Sequence, residues 1–525
     1  MANLDYDYVI IGSGFGGAVS ALRLSEKGYK VLVIEKGKWF KSNDFPKTNW
    51  NLKKWIWEPK LNLKGFFKMT FLNHVTVLSG VGVGGGSLTY ANTLPIPKKN
   101  FFESGSWAKL DNWQEVLKLH YDTAYKMLGA AKNPTLFAAD LTLKDIAKEI
   151  GKENYFEAAK AAVYFGEKGK TVNDPYFEGK GPDRTGCLHC GACMTGCRHN
   201  SKNTLDKNYL YLAQQLGAKI LAEKEVYNVT PIGTNDGAEG YKVKFKSSLG
   251  KKKKDRITTK GVIFSGGVVG TVPLLLKLKE SSLPNLSNMV GCNVRTNNES
   301  LLLITSTEKN NEDFSRGLAI GSVLHTDENS HLEPVRYGEG SSFFRILTIP
   351  VVHHKYAFVR MLGILGIAFK YPIKLVKTMF TASYSKRTTV LLFMQTLDST
   401  LRFKLGKITK MKSEKEEGSK PNAFIPEALN LGKKYAKRAQ GIPYANFTDV
   451  LLGTPTTAHI LGGAVMGENI SEGVIDKHCK VFGYKNMMVC DGAMISANPG
   501  VNPSLSITAI TEYAMSNIPN KEDLS

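Results

Sequence analysis

Four cysteines crowd into eleven residues of the stretch GCLHCGACMTGCRHNSKNTL: Cys187, Cys190, Cys193 and Cys197. Their C-x2-C-x2-C-x3-C spacing is that of bacterial ferredoxins, in which four soft thiolates hold an iron–sulfur cluster. Two features depart from that pattern. Arg198 stands where ferredoxins usually carry proline, and the chain has no second cysteine run to serve a second cluster. Zinc also accepts four thiolates, although its sites more often pair two separated C-x2-C units. An iron–sulfur cluster, a zinc site and a reduced or disulfide-linked loop therefore all stay open. Cys292, Cys479 and Cys490 read as ordinary thiols.

Glycine carries the second kind of chemistry. In YDYVIIGSGFGGAVSALRLSEKGYKVLVIEKG, the residues Gly12, Gly14 and Gly17 form G-x-G-x-x-G. They follow the short apolar run from Tyr8 to Ile11 and precede helical spacing from Ala18 to Leu24. Val31 to Ile34 is a second strand, ending at Glu35. These elements fit a βαβ unit whose glycines admit a pyrophosphate at a helix N-terminus, while Glu35 accepts bonds from a ribose hydroxyl.

A second cluster, SGVGVGGGSLTYAN, has five glycines among the residues from Ser79 to Asn92. One dinucleotide needs one pyrophosphate turn, so a nicotinamide cofactor leaves this cluster unexplained. FAD is bulkier, with a ribityl chain and a flat ring system that must lie against backbone. VIFSGGVVGTVPLLL (Val262 to Leu276) is a third strand–glycine–helix element. MMVCDGAMISANPGVNPSLSITAITEYA then puts Asp491 and Gly492 after an apolar strand and before a helix. Asp491 suits the ribityl hydroxyls there, and the N-terminus of the last helix suits the flavin.

Taken in order, GSGFGG, GVGVGGGSLTYAN, AHILGGAVMG, YKNMMVCDGAMI and PGVNPSLSITAITE resemble the glucose–methanol–choline (GMC) oxidoreductases and, within them, the cholesterol oxidase type. The resemblance implies an α/β chain: a Rossmann-like FAD-binding domain of GMC fold, with an α+β substrate-binding domain built on an antiparallel sheet. It implies that Gly82, Gly84, Gly85, Gly86 and Ser87, with Asn92, line the flavin and its pyrophosphate, and that Val226 lies in a flavin-contacting strand. It also matches His459 and Asn502 to the catalytic pair at the flavin face. Imidazole suits acceptance of an alcohol proton near neutral pH. Double-bond isomerisation would need a cavity carboxylate, for which Glu339 is the nearest match and Glu333 its rival.

Composition bounds the rest. The chain has 525 residues, 42% of them apolar, which excludes wholesale disorder and suggests more than one domain. The expected FAD-binding domain is discontinuous (1–99, 181–300 and 455–525), with the substrate domain in 100–180 and 301–454. Lys and Arg outnumber Asp and Glu by 69 to 47, a formal charge of +22 that favours an anionic partner. MANLDYDYVII has no room for a leader segment, and seven cysteines with four clustered argue against a secreted disulfide scaffold. The expectation is a cytoplasmic chain, with peripheral contact to the inner membrane face as an extension.

Two stretches bear on the substrate. NWNLKKWIWEPKLNLKGFFKM mixes aromatics with lysines, a composition that nucleic-acid binding could use, but a cavity lid or membrane contact fits the setting better. His353 to Arg387 holds seven Lys and Arg and no acid, around the uncharged run from Met361 to Phe369. That run is far below the roughly 18 residues needed to span a bilayer. An interfacial helix and a buried helix with basic ends stand level. Lys251 to Lys254 reads as a solvated hairpin tip. No sugar site or choline cage is legible, so a sterol or other lipophilic alcohol is the expected substrate, with oxygen or a carrier as acceptor and no nucleic-acid partner. Three functions follow: a flavin-dependent 3β-hydroxysteroid oxidase, a flavin and iron–sulfur dehydrogenase of another lipophilic alcohol, and a lipid-binding flavoprotein without turnover.

Overall fold

The computed structural model describes residues 4–251, 253–308, 312–406, 411–418 and 421–524. Two seven-stranded sheets organise it. In the first, Tyr6–Ile11 runs parallel to Val31–Ile34 on one side and to Lys254–Phe264 on the other, and Lys219–Leu221 extends the row. Met487–Val489 pairs in parallel with the end of Lys254–Phe264, opposite Val262 to Phe264. Segments from the start, middle and end of the chain thus share one sheet. The parallel strand VLVI at Val31–Ile34 is buried at every position, as expected of a strand covered on both faces. Lys224–Pro231 and Tyr241–Ser247 complete the sheet as an antiparallel meander. The hairpin before Lys254 includes the lysine run, of which residue 252 lies outside the described residues.

Helix Phe15–Glu26 starts at Gly14 and packs on helix Ser504–Ser516. Its first turn needs glycine for a plain reason: a Cβ on Gly16 would lie 1.8 Å from the Cys490 carbonyl oxygen, and one on Gly17 2.1 Å from that of Gly12. The two helices are tied by a paired buried charge. Arg23 donates to both Glu512 oxygens at 2.7 and 2.9 Å, and Tyr209 Oη donates to Glu512 at 2.6 Å.

The second sheet is antiparallel throughout. Its order is Thr348–Pro350, Gly441–Asn446, Ser300–Ser306, Thr388–Gln395, Ser330–Val335, Ser322–His325 and Phe156–Ala158. Strand alternation splits its side chains into two sets. Leu302, Ile304, Leu391 and Phe393 pack with Leu143 and Ile146 of helix Ala138–Glu149 and with Leu431 and Tyr435 of helix Pro426–Arg438. The other set faces away from those helices.

The aromatics of residues 49–69 are largely interior. Trp55, Phe66 and Phe67 join Phe40, Phe45 and Phe343 in one cluster, with Trp55 stacked on Phe67 at 4.5 Å. Around the uncharged run, the expected single helix is two: Ala357–Lys370 and Pro372–Phe380, exposed over most of their length. The break falls at Pro372, which fixes its own φ and cannot continue the first helix. The buried-helix reading is thereby corrected. Among the described residues, no helix is long and apolar enough to cross a membrane.

Candidate active site

A single cavity of about 950 Å³ joins the two sheets. One end is built from backbone. Gly12, Gly14, Gly85, Gly86, Gly267 and Gly270 line it, together with Glu35, Val226, Asp491 and Gly492. Several of these glycines are not there for packing. A Cβ on Gly14 would meet no protein atom nearer than 3.9 Å, and one on Gly267 nothing within 4 Å. Those atoms would project into the cavity, so the space they leave belongs to a ligand. A glycine-lined end of this kind, at the start of helix Phe15–Glu26, has the chemistry to admit a dinucleotide such as FAD.

The other expected cofactor residues divide by role. Ser13 holds the glycine turns together: its hydroxyl donates to Glu35 Oε2 at 2.8 Å and accepts the Gly84 N–H at 3.1 Å. Glu35 also accepts the Gly37 N–H at 2.8 Å, so its carboxylate is partly engaged by protein where it lines the cavity. Gly82, Gly84 and Ser87 stand behind the lining. Gly82 has φ of +142° and Gly84 +102°, and Ser87 Oγ accepts the Leu205 N–H at 3.1 Å. Asn92 is fully buried with φ of +73°, and neither of its side-chain polar atoms has a partner. Asp491 accepts from Gly267 N (2.8 Å), Thr271 Oγ1 (2.6 Å) and Ala493 N (2.7 Å). Burial outweighs those bonds and raises its pKa to about 6. The N-terminus of helix Ser504–Ser516 reaches the same cavity through Asn502, Pro503 and Ser504.

The opposite end is built from side chains of the antiparallel sheet. Leu301, Leu303, Val390 and Leu392 line it, and Leu301 pairs with Leu392 and Leu303 with Val390 across the ladder. Phe67, Met69 and Leu78 add a wall from the short sheet of residues 67–80. The surface is mostly hydrocarbon.

His459 and Asn502 meet at the cavity, with Asn502 Nδ2 3.4 Å from His459 Nε2. Asn502 is buried and its Oδ1 has no partner. Behind the imidazole, Nδ1 stands 3.2 Å from Glu299 Oε2. Thr457 Oγ1 donates to the other oxygen of Glu299 and accepts the backbone N–H of His459 at 2.9 Å. Burial alone would lower the His459 pKa; Glu299, with a smaller push from Glu333, overrides it and leaves the imidazole above its ordinary value. Sequence reasoning missed Glu299. Its position just before the strand Ser300–Ser306 gives it the same parity as Leu301 and Leu303, which is the cavity side.

Two expectations need correction. Glu339 does not reach the cavity: it is exposed and paired with Lys386 at 2.7 Å, because the loop carrying it turns outward beyond the strand Ser330–Val335. Its rival Glu333 is buried opposite Leu392, with Oε1 3.5 Å from His331 Nε2 and Oε2 unpartnered, yet it does not line the cavity either. The four clustered cysteines are free thiols, and among the described residues no group of three or more His, Cys, Asp or Glu converges as a metal-binding set. An iron–sulfur or zinc centre at Cys187, Cys190, Cys193 and Cys197 therefore has no support in this geometry. Those thiols surround a void of only about 20 Å³ shared with Lys202. Lys202 Nζ donates to the carbonyls of Leu88 (3.1 Å), Tyr90 (2.8 Å) and Cys193 (3.0 Å), which fastens the cysteine loop to the glycine cradle. Burial drops the pKa of this lysine to about 7.

Residues 6–298 and 420–511 match two family models, both described as GMC oxidoreductase. The chain is 43% identical to a cholesterol oxidase of Acinetobacter baumannii over 99% of this chain and 96% of that protein. It is 40% identical to a cholesterol oxidase of Mycobacterium tuberculosis over 98% and 92% of the two. A pyridoxine 4-oxidase from Mesorbium loti superposes with a TM-score of 0.60 over 97% of this chain and 99% of its own, at 13% identity, a likeness of fold.

Proposed function

The chain belongs to the GMC oxidoreductases and is an FAD-dependent alcohol oxidoreductase, and from that premise we propose that it oxidises the 3β-hydroxyl of a sterol such as cholesterol to the 3-ketosteroid, with oxygen as acceptor. The observation that carries this reading is one cavity running from a glycine cradle to an apolar sheet wall, with His459 and Asn502 on its lining. The two relatives whose names say cholesterol oxidase support the substrate class. The reading divides the chain into a cofactor-binding part (1–99, 181–300 and 455–525) and a substrate-binding part (100–180 and 301–454).

FAD, when bound, supplies the hydride acceptor; Gly12, Gly14, Gly85, Gly86, Asp491 and Gly492 would hold it, while Gly17 serves the close packing of the turn behind them. His459 Nε2 takes the hydroxyl proton of the alcohol, and the Asn502 amide donates to the alcohol oxygen as charge develops there. Glu299 positions this pair. Glu299 Oε2 stands 3.2 Å from Nδ1, and a proton held on that nitrogen would leave the lone pair on Nε2, on the Asn502 side. The wall of Leu301, Leu303, Val390 and Leu392 excludes water and orients the hydrocarbon. Magnitudes favour a lipophilic substrate. Burying roughly 400 Å² of hydrocarbon contributes on the order of 10 kcal/mol before costs, at about 25 cal/mol per Å². One hydroxyl hydrogen bond contributes only about 1 kcal/mol. Double-bond migration is not part of this proposal, since Glu339 is a surface residue bonded to Lys386.

The test is anaerobic titration of the flavin-loaded protein with cholesterol, read by the flavin absorbance band, followed by readmission of air. Bleaching and then recovery supports sterol oxidation with oxygen. A band that ignores sterol and bleaches with a long-chain aliphatic alcohol overturns the substrate class. A band that bleaches but does not recover in air overturns the choice of acceptor.

A further inference from the structure

The helices Ala357–Lys370 and Pro372–Phe380 have 14 and 9 residues, of which only Arg360 and Thr378 are buried. Most of their exposed side chains are apolar, interrupted by Lys370, Lys374 and Lys377. Phe358, Met361, Leu365 and Phe369 follow at helical intervals along one outward stripe of the first helix, and Ile373 and Phe380 lie seven apart on the second. Phe369 is 86% exposed, Phe380 77%, Ile373 70% and Phe358 64%. Folded chains rarely leave so much continuous hydrocarbon in water without a partner.

Ile364 packs inward, and the hydrogen bonds that attach this pair to the body come from arginines. Arg360 Nη2 donates to the Leu451 carbonyl at 2.8 Å and Nη1 to that of His354 at 2.7 Å. Arg345 Nη1 donates to the carbonyls of Met379 and Thr381 at 2.9 and 3.2 Å. Guanidinium clamps thus fix the helices and leave their hydrocarbon turned outward.

Charge selects the partner. From His353 to Arg387 there are seven Lys and Arg and no acid. A second copy of the chain would bring the same cations, and the same net charge of +22, against this face. A surface that is both apolar below and anionic above suits it. We propose that the helix pair docks the protein on an anionic bilayer surface. The stripe through Phe369 and Phe380 enters the acyl boundary while Lys370, Lys374 and Lys377 lie among headgroup phosphates. The helices are too short to span, so they lie in the interface. The inference extends the sterol reading, because a bilayer is where a sterol resides, but its test needs no substrate.

The flavin-loaded protein is sedimented with sterol-free vesicles of phosphatidylcholine, with and without phosphatidylglycerol. Binding is expected only with the anionic lipid and should weaken as salt rises. Phe369→Asp combined with Phe380→Asp should weaken it by at least about tenfold, with flavin content and melting temperature kept. Should that variant fold poorly, Lys370→Glu, Lys374→Glu and Lys377→Glu alter only exposed charges and should abolish the preference for anionic lipid. No binding to anionic vesicles, or equal binding by the folded variants, overturns the proposal. So does a dimer in solution that the Asp substitutions split, since the face is then an interface between copies. Loss of sterol turnover with vesicle binding intact would count against the sterol reading alone.

Discussion

The two ends of the cavity hold their ligands in opposite ways. At the cradle, the chain withdraws its side chains and offers backbone: Gly14 and Gly267 leave open space where a Cβ would stand. At the sheet wall, the chain offers side chains and hides its backbone in the ladder between Ser300–Ser306 and Thr388–Gln395. The first end is specific because few atoms fit through it. The second is permissive, because hydrocarbon recognises hydrocarbon by area. His459 and Asn502 belong to neither material: a part-buried imidazole and an amide stand 3.4 Å apart on the lining, where the proposed function puts the directional chemistry.

Substitutions can break this contrast in order of size. His459→Gln should lower kcat by about 10² to 10⁴, the range for loss of a positioned proton acceptor, while flavin content stays at the wild-type level. Wild-type turnover in that variant would remove His459 from the site. Next, Gly16→Ala and Gly14→Leu should fail in different ways. The first drives a Cβ to 1.8 Å from the Cys490 carbonyl, so it should cost stability, read as a large fall in melting temperature or loss of soluble protein. The second meets no protein atom nearer than 3.9 Å at its Cβ, so it should leave a folded chain that has lost flavin. If both variants bind flavin normally, the cradle is misassigned.

Leu303→Ala probes the permissive end. It should raise KM for sterol by about tenfold, equivalent to roughly 1.4 kcal/mol, with kcat and flavin content nearly kept. Glu299→Gln sharpens the junction through pH. Glu299 stabilises the imidazolium, so the His459 pKa lies above 6.5 and the proton-accepting form grows as pH rises through it. Without that charge the rising limb of kcat/KM should move to lower pH. The same sign governs stability: the pair contributes fully below about 6.5 and its contribution is lost as pH rises through the higher folded value. A pH profile unmoved by the substitution would leave Glu299 as packing only. Smallest of all, Cys190→Ala should change turnover by less than about twofold and stability by about 1 kcal/mol, since it touches only a minor void beside Lys202. Loss of activity there would revive a cofactor at the cysteine run.

Legibility followed the same division. Gly12, Gly17 and the turn at Gly82 to Gly86 were readable because a left-handed φ or a close approach admits almost nothing else, and a run of such positions is rare by chance. The wall was not readable. Leu301, Leu302, Leu303 and Ile304 are all apolar, since one face meets helices and the other the cavity, so alternation leaves no trace in the letters. Glu299, Glu333 and Glu339 look alike in sequence. One backs His459, one is buried beside His331, and one is solvated against Lys386. The cysteine run erred the other way: a strong local spacing proved compatible with four thiols packed around a lysine contact.

The sequence by itself determined the backbone-made half of this protein, namely the βαβ unit and its glycine turns. Each depends on residue type at fixed local spacing. Tertiary structure alone decided the rest: which sheet face lines the cavity, which glutamate stands behind the imidazole, and that two apolar helices are clamped by arginines with their hydrocarbon outward. Those outcomes depend on what packs against each face, which spacing along the chain does not record. Glu299 and His459 are 160 positions apart and 3.2 Å from each other.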